Sequence, residues 1–559
     1  MLVSGAVVVV AVAALQLARP AGTVDVQLLA FNDFHGALEP PSAGTGRIGE
    51  TDAGGVEYLA AHLARLKAIH PHTLVVSAGD NIGGTPLLSS LFHDEPTIEA
   101  LSLAGLEVSA LGNHDLDEGW WELYRMQNGG CHPVDGCQDG TPFAGAAFRY
   151  VAANVVLDPR HVDPDLRARA GIQGADPRPL LPPYVVHEFD GVRVGVIGLI
   201  LQAAASVSIQ ASIQGLTFLP EADAANEAAR RLRAEGVRAI AVVMHQGGVQ
   251  AGSDINACDG VSPDLVALVE AFDDDIDVVV SGHRHAAYNC TIDGRLVTSA
   301  AANGRLITDI DLRIRRSDGE VTAKSARNLV VTRDVPPDRA QSTLLARYLP
   351  IAGTIGARVV GSITAEFTRA MTPAGESALG RLLADSYLRA AGETPGGRVD
   401  LAFTNPGGIR ADLVAGGPTR PAPVTYAELF AVLPFGNELI VKSVSGAALL
   451  QALEQQFGPD RTRIMQVSRG FTYAYDTTQP PGRRVDRSSV RVNGAPLDPA
   501  RQYRLATNSF LWDGGDGLAA LRSGVDAVTI GVDVDVVADY FARQSPIAPD
   551  AQDRIRRLR

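Results

Sequence analysis

Lysine is scarce in this chain of 559 residues. It occurs only at Lys67, Lys324 and Lys442, so nearly all basic side chains are arginine, and the formal net charge is -14. Binding to a phosphate backbone needs clustered basic side chains, which an acidic chain of this composition does not supply. We therefore expect no nucleic-acid polymer among its partners.

Cysteine is also rare, with 4 residues, and none of them forms a CxxC motif. That spacing makes a zinc cluster the weaker interpretation. An even number of cysteines in an exported chain favours disulfides, and proximity in sequence favours the pairs Cys131–Cys137 and Cys258–Cys290.

Long apolar runs are missing except for one near the N-terminus, Ala6–Leu17. Its length suits the core of a signal peptide better than a membrane span, and a buried strand or helix is the alternative. No Lys or Arg precedes it, so the true start codon and the cleavage site stay open. We predict a signal peptide over residues 1–23, no stable membrane span, and an exported protein that is periplasmic, cell-wall-associated or secreted.

The composition is that of a globular protein, with 46% hydrophobic and 20% charged residues, and the length favours two or more domains. Apolar strands alternate with helical stretches, which is typical of an α/β fold. We predict a catalytic domain over 24–331, a linker helix within 332–357, a second α/β domain over 358–547 and a tail over 548–559. The oligomeric state is left open.

Polar side chains follow the apolar strands of the first half at the points where the strands end. Open α/β sheets keep their sites at such junctions, and repetition makes chance a poor explanation. Imidazole and oxygen donors without thiolate suit Zn, Mn, Co or Fe, with Mg as an alternative, and Asp80 could bridge two ions. The candidate ligands are Asp33, His35, Asp80, Asn113, His245, His283 and His285.

The stretch Leu111–Gly119 places an amide, an imidazole and three acids in one glycine-bounded loop. His114 suits proton transfer to a reacting group, and Asp117 lies where its carboxylate could fix the tautomer of the ring. The alternative is a polar surface turn, since Asn, Asp and Gly are ordinary turn formers.

The ordered series Asp-x-His, Gly-Asp, Gly-Asn-His-Asp, His and Gly-His-x-His resembles the calcineurin-like metallophosphoesterases. Three motifs of the second half, Asn-x-Gly-Gly-Ile-Arg, Pro-Phe-Gly-Asn and Phe-x-x-x-Gly-Gly-Asp-Gly, look like the exported 5'-nucleotidase family. The resemblance implies a four-layer α/β sandwich, a linker helix and a mixed α/β substrate-binding domain.

The resemblance also implies two divalent metal ions and a reaction. Asp33, His35, Asp80 and His285 would hold one ion, and Asp80, Asn113, His245 and His283 the other. His114, paired with Asp117, would stabilise the transition state while a metal-bound hydroxide attacks the phosphorus of a nucleoside 5'-phosphate. The alternatives are a UDP-sugar or nucleoside di- or triphosphate hydrolase, a cyclic-nucleotide phosphodiesterase, and a surface nucleotide-binding protein without catalysis.

In the second domain the resemblance makes Phe435 and Phe510 a clamp for the base and places Asp516 on the ribose. Asn405 and Asn437 would lie near the substrate and Arg410 on its phosphate. Taken alone, the arginine could form an ordinary ion pair and the phenylalanines could be core residues.

One position departs from the family pattern. Relatives commonly carry a phosphate-binding arginine where this chain has Pro373, and Arg369 could substitute for it. The preferred nucleotide and number of phosphates therefore stay open.

Overall fold

The structure is a computed structural model of the chain and describes residues 22–41, 46–393, 399–414, 419–458 and 462–559. Residues 1–21 of the predicted signal peptide lie outside the described residues. The predicted α/β class is confirmed, because strands and helices alternate in both halves.

In the described residues, the strands of the first half are β1 (Thr23–Phe31), β2 (Arg47–Ile48), β3 (Thr51–Asp52), β4 (Thr73–Ser77), β5 (Val108–Ala110), β6 (Arg149–Val151), β7 (Val155–Leu157), β8 (Arg178–Pro179), β9 (Tyr184–Phe189), β10 (Val192–Ile200), β11 (Leu216–Phe218), β12 (Ala239–His245), β13 (Val278–Ser281), β14 (Ala287–Ile292), β15 (Arg295–Ala300), β16 (Leu306–Arg315) and β17 (Val321–Val330). Its helices, with the one that leads to the second half, are α1 (Val56–Lys67), α2 (Leu87–Ser90), α3 (Glu95–Ala104), α4 (Trp120–Asn128), α5 (Pro164–Arg169), α6 (Ala204–Val207), α7 (Glu221–Ala234), α8 (Pro263–Glu270) and α9 (Arg339–Gly356).

The second half contains β18 (Val359–Ile363), β19 (Leu401–Thr404), β20 (Ala422–Thr425), β21 (Glu438–Ser445), β22 (Gln466–Val467), β23 (Phe471–Tyr475), β24 (Val485–Val492), β25 (Ala495–Pro496), β26 (Gln502–Asn508), β27 (Val525–Val532) and β28 (Ile555–Arg557). Its helices are α10 (Ala378–Gly392), α11 (Tyr426–Val432), α12 (Gly446–Gln455), α13 (Ser509–Trp512) and α14 (Asp533–Gln544).

Two six-stranded sheets form the centre of the first half, in the orders β17-β16-β1-β4-β5-β6 and β14-β15-β13-β12-β10-β9. Aliphatic side chains of both sheets pack against each other in one buried core, and helices cover the outer faces. Strands buried on both faces need apolar residues at nearly every position, which is why they read as continuous hydrophobic runs.

The strand directions bring the predicted ligands to one edge. Strands β1, β4 and β5 run parallel in the first sheet, as do β10, β12 and β13 in the second. The carboxyl ends of parallel strands lie at the same edge of a sheet, so the loops that follow them meet there.

The apolar run over 150–156 predicts one strand, but in the structure it is divided between β6 and β7. The chain leaves the first sheet after Val151, and β7 joins a different, three-stranded sheet. Between these strands Asn154 is fully buried, and its amide donates to the carbonyls of Ile200 and Leu219 at 2.6 and 3.0 Å. Side-chain bonding to the backbone replaces strand pairing at this turn.

The helix predicted as a linker, α9, packs against the first half. Leu344, Leu345 and Tyr348 are buried in the core that also contains side chains of α1 and α3. The helix begins at the cap residue Asp338, whose carboxylate accepts the backbone N–H of Gln341 at 3.0 Å. This packing attaches α9 to the first half, and its role as a linker stays a prediction.

The segment interpreted as a tail is folded into the second half. Strand β28 pairs in parallel with β23, and Arg554 is buried. Its guanidinium donates to both oxygens of Asp385 at 2.8 Å, a bidentate pair away from water. A buried ion pair of this kind anchors the segment, so the word tail does not describe it.

Two further sequence predictions concern the covalent and membrane state. Both predicted disulfides, Cys131–Cys137 and Cys258–Cys290, are present. Within the described ranges, no helix is long and apolar enough to cross a membrane.

Asp533 at the start of α14 makes the stability of the second half depend on pH. Burial raises its pKa to about 7 from 3.8, although the Val534 N–H, which donates to it, acts in the opposite direction. The folded state therefore disfavours the charged carboxylate, and the free energy of unfolding falls as pH rises between about 4 and 7.

We predict that Asp533→Asn, compared with wild type, gains free energy of unfolding at pH 8, and that this gain is smaller at pH 5. Each unit of pKa difference corresponds to about 1.4 kcal/mol, so we expect a gain of about 2–4 kcal/mol. Denaturant unfolding at both pH values measures it, with the exposed Asp539→Asn on the same helix as the control. Parallel pH profiles for wild type and Asp533→Asn would contradict the assignment.

Candidate functional site

Two groups of predicted ligands face each other where the two sheets meet. In the first, the donor atoms of Asp33, His35 and His285 lie within 4.8 Å of one another, and in the second those of Asp80, His245 and His283 do so. Asn113 joins the second group, because its carbonyl oxygen lies 3.2 Å from His245 Nε2 and 3.1 Å from His283 Nδ1.

Asp80 lies between the two groups. Its Oδ2 is 3.0 Å from His245 Nε2 and 3.7 Å from His35 Nε2. Burial opposes a charge on His245, yet Asp80 outweighs it and raises the pKa of His245 to about 9. The space between Asp80 and His245 therefore attracts positive charge, which is a proton in this structure and would be a metal ion if Asp80 bridged the two groups.

The donor set fits divalent cations. Backbone carbonyls face the outer nitrogens of two imidazoles, Gly83 O at 2.8 Å from His35 Nδ1 and Ala78 O at 2.8 Å from His245 Nδ1. Such bonds place a proton on Nδ1, so Nε2 is the nitrogen that would face a cation once its own proton is displaced. Metal–nitrogen distances of about 2.0–2.1 Å in a tetrahedron require donor separations near 3.3 Å, and His35 Nε2 and His285 Nε2 are 3.2 Å apart.

The backbone at the predicted ligands is strained. Non-glycine residues with positive φ occur at Asp33 (50°), His35 (46°), Asp80 (52°), His283 (68°) and His285 (51°). Each residue in the left-handed region costs about 1–2 kcal/mol, and such strain collects at functional sites. The surrounding structure therefore holds these residues in backbone conformations that they would not prefer on their own, and their side chains point to one place as a result.

Asp115 holds two ligand loops together, a role that the sequence interpretation missed. Its buried carboxylate accepts the N–H groups of Asp80, Asn81, Ile82 and Gly112 at 2.7–3.2 Å. Burial raises its pKa to about 7, and the nearby charge of Asp80 adds to this effect. A Cβ on Gly112 would lie 2.0 Å from Asp80 Oδ1, so only glycine fits this approach.

His114 and Asp117 are in contact, as the sequence predicts. His114 donates from Nδ1 to Asp117 Oδ2 at 3.0 Å, which leaves Nε2 for a reacting group. Burial acts to lower the pKa of His114, but the charges of Asp117 and Asp80 raise it overall. The roles of the pair and of the seven ligand candidates stay predictions.

A cleft of about 130 Å³ joins this region to the second half. Asp80, His114, Asp117, His283 and His285 line one side. The other side carries six of the predicted substrate residues: Asn405, Arg410, Phe435, Asn437, Phe510 and Asp516.

Arg410 reaches across the cleft to the first ligand group. Its Nη2 donates to His35 Nε2 at 3.0 Å, and its guanidinium lies 5.6 Å from the centre of the Phe435 ring. Burial lowers its pKa, although the carboxylates of Asp80 and Asp117 act in the other direction. A buried guanidinium beside a ligand group is suited to bind an anion.

The aromatic side chains border the cleft in different ways. Phe435 stacks on His114, with ring centroids 5.2 Å apart and an angle of 22°. Phe510 lies against Gly515, where an added Cβ would be 2.5 Å from its ring. Next to it, Asp516 accepts from Asn405 Nδ2 at 3.1 Å and pairs with Arg463 at 3.1 Å, a partner that the sequence did not predict.

Arg369 differs from the expectation. Its Nη1 donates to Ile409 O at 3.4 Å, and its Nε lies 3.5 Å from Asp412. Arg369 is not among the residues that line the cleft in the described part of the chain. Val207 and Ile209 do line the cleft, although nothing in their sequence context distinguishes these aliphatic residues from core residues.

Comparison with known proteins agrees with the geometry. Residues 359–523 match the family described as 5'-nucleotidase, C-terminal domain. Endonuclease YhcR of Bacillus subtilis is 32% identical over 96% of this chain, which spans only 41% of that protein. Cell wall protein Lmo0130 of Listeria monocytogenes is 30% identical, with coverage of 94% of this chain and 68% of that protein.

The chain belongs to the 5'-nucleotidase family. The crystal structure of a 5'-nucleotidase precursor from Thermus thermophilus superposes with a TM-score of 0.76, at 26% identity, and covers 96% of this chain and 99% of that one. The family consists of metal-dependent phosphoesterases, which agrees with the candidate ligand groups. The number and identity of the metal ions remain predictions.

We predict that Asp80→Asn lowers the occupancy of both metal positions, because one carboxylate faces both groups. Asparagine tolerates a left-handed backbone, so the fold should survive. Metal analysis of the purified protein measures the loss, with His283→Ala as the matched variant that disturbs only the second group. Retention of all bound metal by Asp80→Asn would contradict a bridging role.

Proposed function

We propose that this 5'-nucleotidase family member hydrolyses nucleoside 5'-phosphates. The observation that carries the proposal is the single cleft that has both ligand groups on one side and aromatic, amide and acidic side chains on the other. A phosphate and a planar base attached to one sugar present these two chemistries at opposite ends.

The phosphate end would lie against the first half. The ligands would be the seven candidates named above, and the chemistry that bound divalent cations supply is Lewis-acid polarisation of the phosphoryl group. Arg410 binds the phosphoryl oxygens from the opposite side, and its buried guanidinium strengthens that attraction because water is excluded.

His114 acts next to the phosphoryl group. Asp117 orients the ring through Nδ1 and favours its charged form, so Nε2–H can donate to oxygen as negative charge develops. Phe435 covers one face of the ring and limits its contact with water.

The nucleoside end would lie against the second half. Phe510 and Phe435 both line the cleft and offer aromatic surface for a base, and the Asp516 carboxylate offers an acceptor for ribose hydroxyls. Asn405 holds Asp516 and is in turn held by Asn508 Nδ2 at 3.0 Å, so the carboxylate is oriented before substrate binds. Asn437 borders the same cleft and would contact the substrate.

We further propose that the protein acts outside the cytoplasm. Its two disulfides suit an oxidising compartment. A relative bears the name cell wall protein.

A panel of substrates with added divalent cations tests the proposal against its alternatives. Nucleoside mono-, di- and triphosphates, a UDP-sugar, a cyclic nucleotide and single-stranded DNA should be compared by kcat/KM. The polymer is included because one relative is named an endonuclease. We expect the 5'-monophosphate to be preferred, and preferred cleavage of the polymer or the diester would overturn the proposal.

We predict that His114→Ala lowers kcat at least about 100-fold, as removal of a proton donor or charge-stabilising group does. The metal content should stay at the wild-type value, because Asn113 and Asp80 remain in place. The control is His187→Ala, because this histidine of β9 lies near Glu107 and is not among the described residues that line the cleft. Loss of metal together with activity would show that His114 is a ligand.

We predict that Phe510→Ala raises KM for a nucleoside 5'-monophosphate about tenfold or more, since stacking on one base contributes about 1–3 kcal/mol. The KM for a small aryl phosphate should change much less, because that substrate has no nucleoside to bind. Phe189→Ala in β9 is the matched control. An equal effect on both substrates would argue against a base-binding role.

A further inference from the structure

A second cluster of histidines and carboxylates lies outside the predicted catalytic groups. It combines His93, which follows α2, with His132 and Asp135 of the loop closed by the disulfide Cys131–Cys137. The donor atoms of these three residues lie within 4.8 Å of one another. No motif in the sequence assigned a role to either histidine.

The separations between donor atoms suit one small cation. Asp135 Oδ2 is 2.9 Å from His93 Nε2 and 3.3 Å from His132 Nδ1. Zinc–nitrogen distances of about 2.0–2.1 Å give tetrahedral donor separations near 3.3 Å, close to both of these. The two imidazole rings are stacked, with centroids 3.7 Å apart and an angle of 15°, so binding of one cation in the plane of both rings requires the His132 ring to turn.

A carboxylate orients His93 from its other nitrogen. His93 Nδ1 donates to Glu118 Oε2 at 2.7 Å, so its Nε2 points to Asp135. Histidines that bind metals characteristically donate their second ring N–H to a carboxylate or carbonyl in this manner. The bond between His93 and Glu118 is an observation separate from the donor distances, and it also favours a metal ion as the ligand.

His132 presents a lone pair to the same place. Its Nδ1 accepts the backbone N–H of Asp135 at 3.1 Å, a bond that a cation would replace. A ring nitrogen of His132 also lies within 4.8 Å of carboxylate oxygens of Glu118 and Glu122.

The cluster is partly protected from solvent. The side chains of His93 and His132 are 18% and 15% exposed, whereas that of Asp135 is 48% exposed. The two imidazoles are thus largely shielded from solvent. The side of the cluster at Asp135 is open, so water can complete the coordination of a bound cation. Imidazole and carboxylate donors without thiolate favour Zn²⁺ over Ca²⁺ or Mg²⁺.

We propose that His93, His132 and Asp135 bind a divalent cation of the zinc type at a site separate from the catalytic ligand groups. Glu118 orients His93 and follows Asp117 directly. The ion thus connects the disulfide-closed loop to the turn that carries the partner of His114. The proposal does not depend on which nucleotide the enzyme hydrolyses.

Metal analysis of the full-length protein tests the proposal. Wild type, His132→Ala and Asp135→Asn are incubated with excess Zn²⁺, freed of unbound metal and analysed for zinc per chain. Each variant should bind one equivalent fewer than wild type. The control is His161→Ala, because His161 is a 73% exposed histidine of the same half that pairs with Asp158.

A second series separates this site from the catalytic groups. In an Asp80→Asn background, the remaining zinc should fall by a further equivalent when His132→Ala is added. Co²⁺ in place of Zn²⁺ should give visible d–d absorption that the Asp135→Asn variant weakens. Circular dichroism confirms that each variant is folded.

Equal zinc content in wild type, His132→Ala and Asp135→Asn would overturn the proposal. The cluster would then be a metal-free network in which a charged His93 joins Glu118 to Asp135. Such a network is consistent with the pKa of His93, which burial lowers but these two carboxylates raise to about 9. Zinc that binds wild type only in large excess over the protein would overturn it as well.

Discussion

The close approach of the loops after β4 and β5 is the constraint on which the rest of the site depends. One buried carboxylate, Asp115, accepts N–H groups from both loops, and Gly112 leaves room for the Asp80 side chain. This contact helps to hold Asp80 in its left-handed conformation between the two ligand groups, together with the N–H of His114, which donates to Asp80 Oδ1 at 2.8 Å. The surrounding sheets supply the rigidity, because strands buried on both faces cannot move independently of their neighbours.

The second half completes a site that the first half cannot form alone. The first half provides donors for cations and the His114–Asp117 pair, but it presents little aromatic surface to the cleft. Arg410 and Phe435 cross the boundary and contact His35 and His114 directly. In the proposed function, binding of phosphate and binding of the nucleoside would therefore be coupled through these contacts between the halves.

The sequence predicted the parts of the structure that follow from local patterns. Apolar runs that end in Asp, His or Asn indicated the strands and their ligand candidates, and the disulfides followed from proximity. Contacts between distant segments were not accessible in this way. Nothing around Asp115 indicates four N–H partners, and the bond of Asn154 to Leu219 that separates β6 from β7 depends on a residue far along the chain. The pairing of Arg369 with Asp412 was also not predictable, because spacing in the sequence does not show which way a side chain points.

The side chains of the turn from His114 to Glu118 point to two different sides. Asp117 faces inward and holds the ring that would serve catalysis, while the next residue, Glu118, is half exposed and holds His93. Successive side chains of a turn point in different directions, so one short segment can support two sites without sharing a ligand. A cation bound by His93, His132 and Asp135 would neutralise acidic groups close to Asp117, and it would thereby restrain the turn from the side opposite the substrate. The disulfide-closed loop, which has no counterpart among the predicted catalytic elements, would then serve to position the catalytic pair.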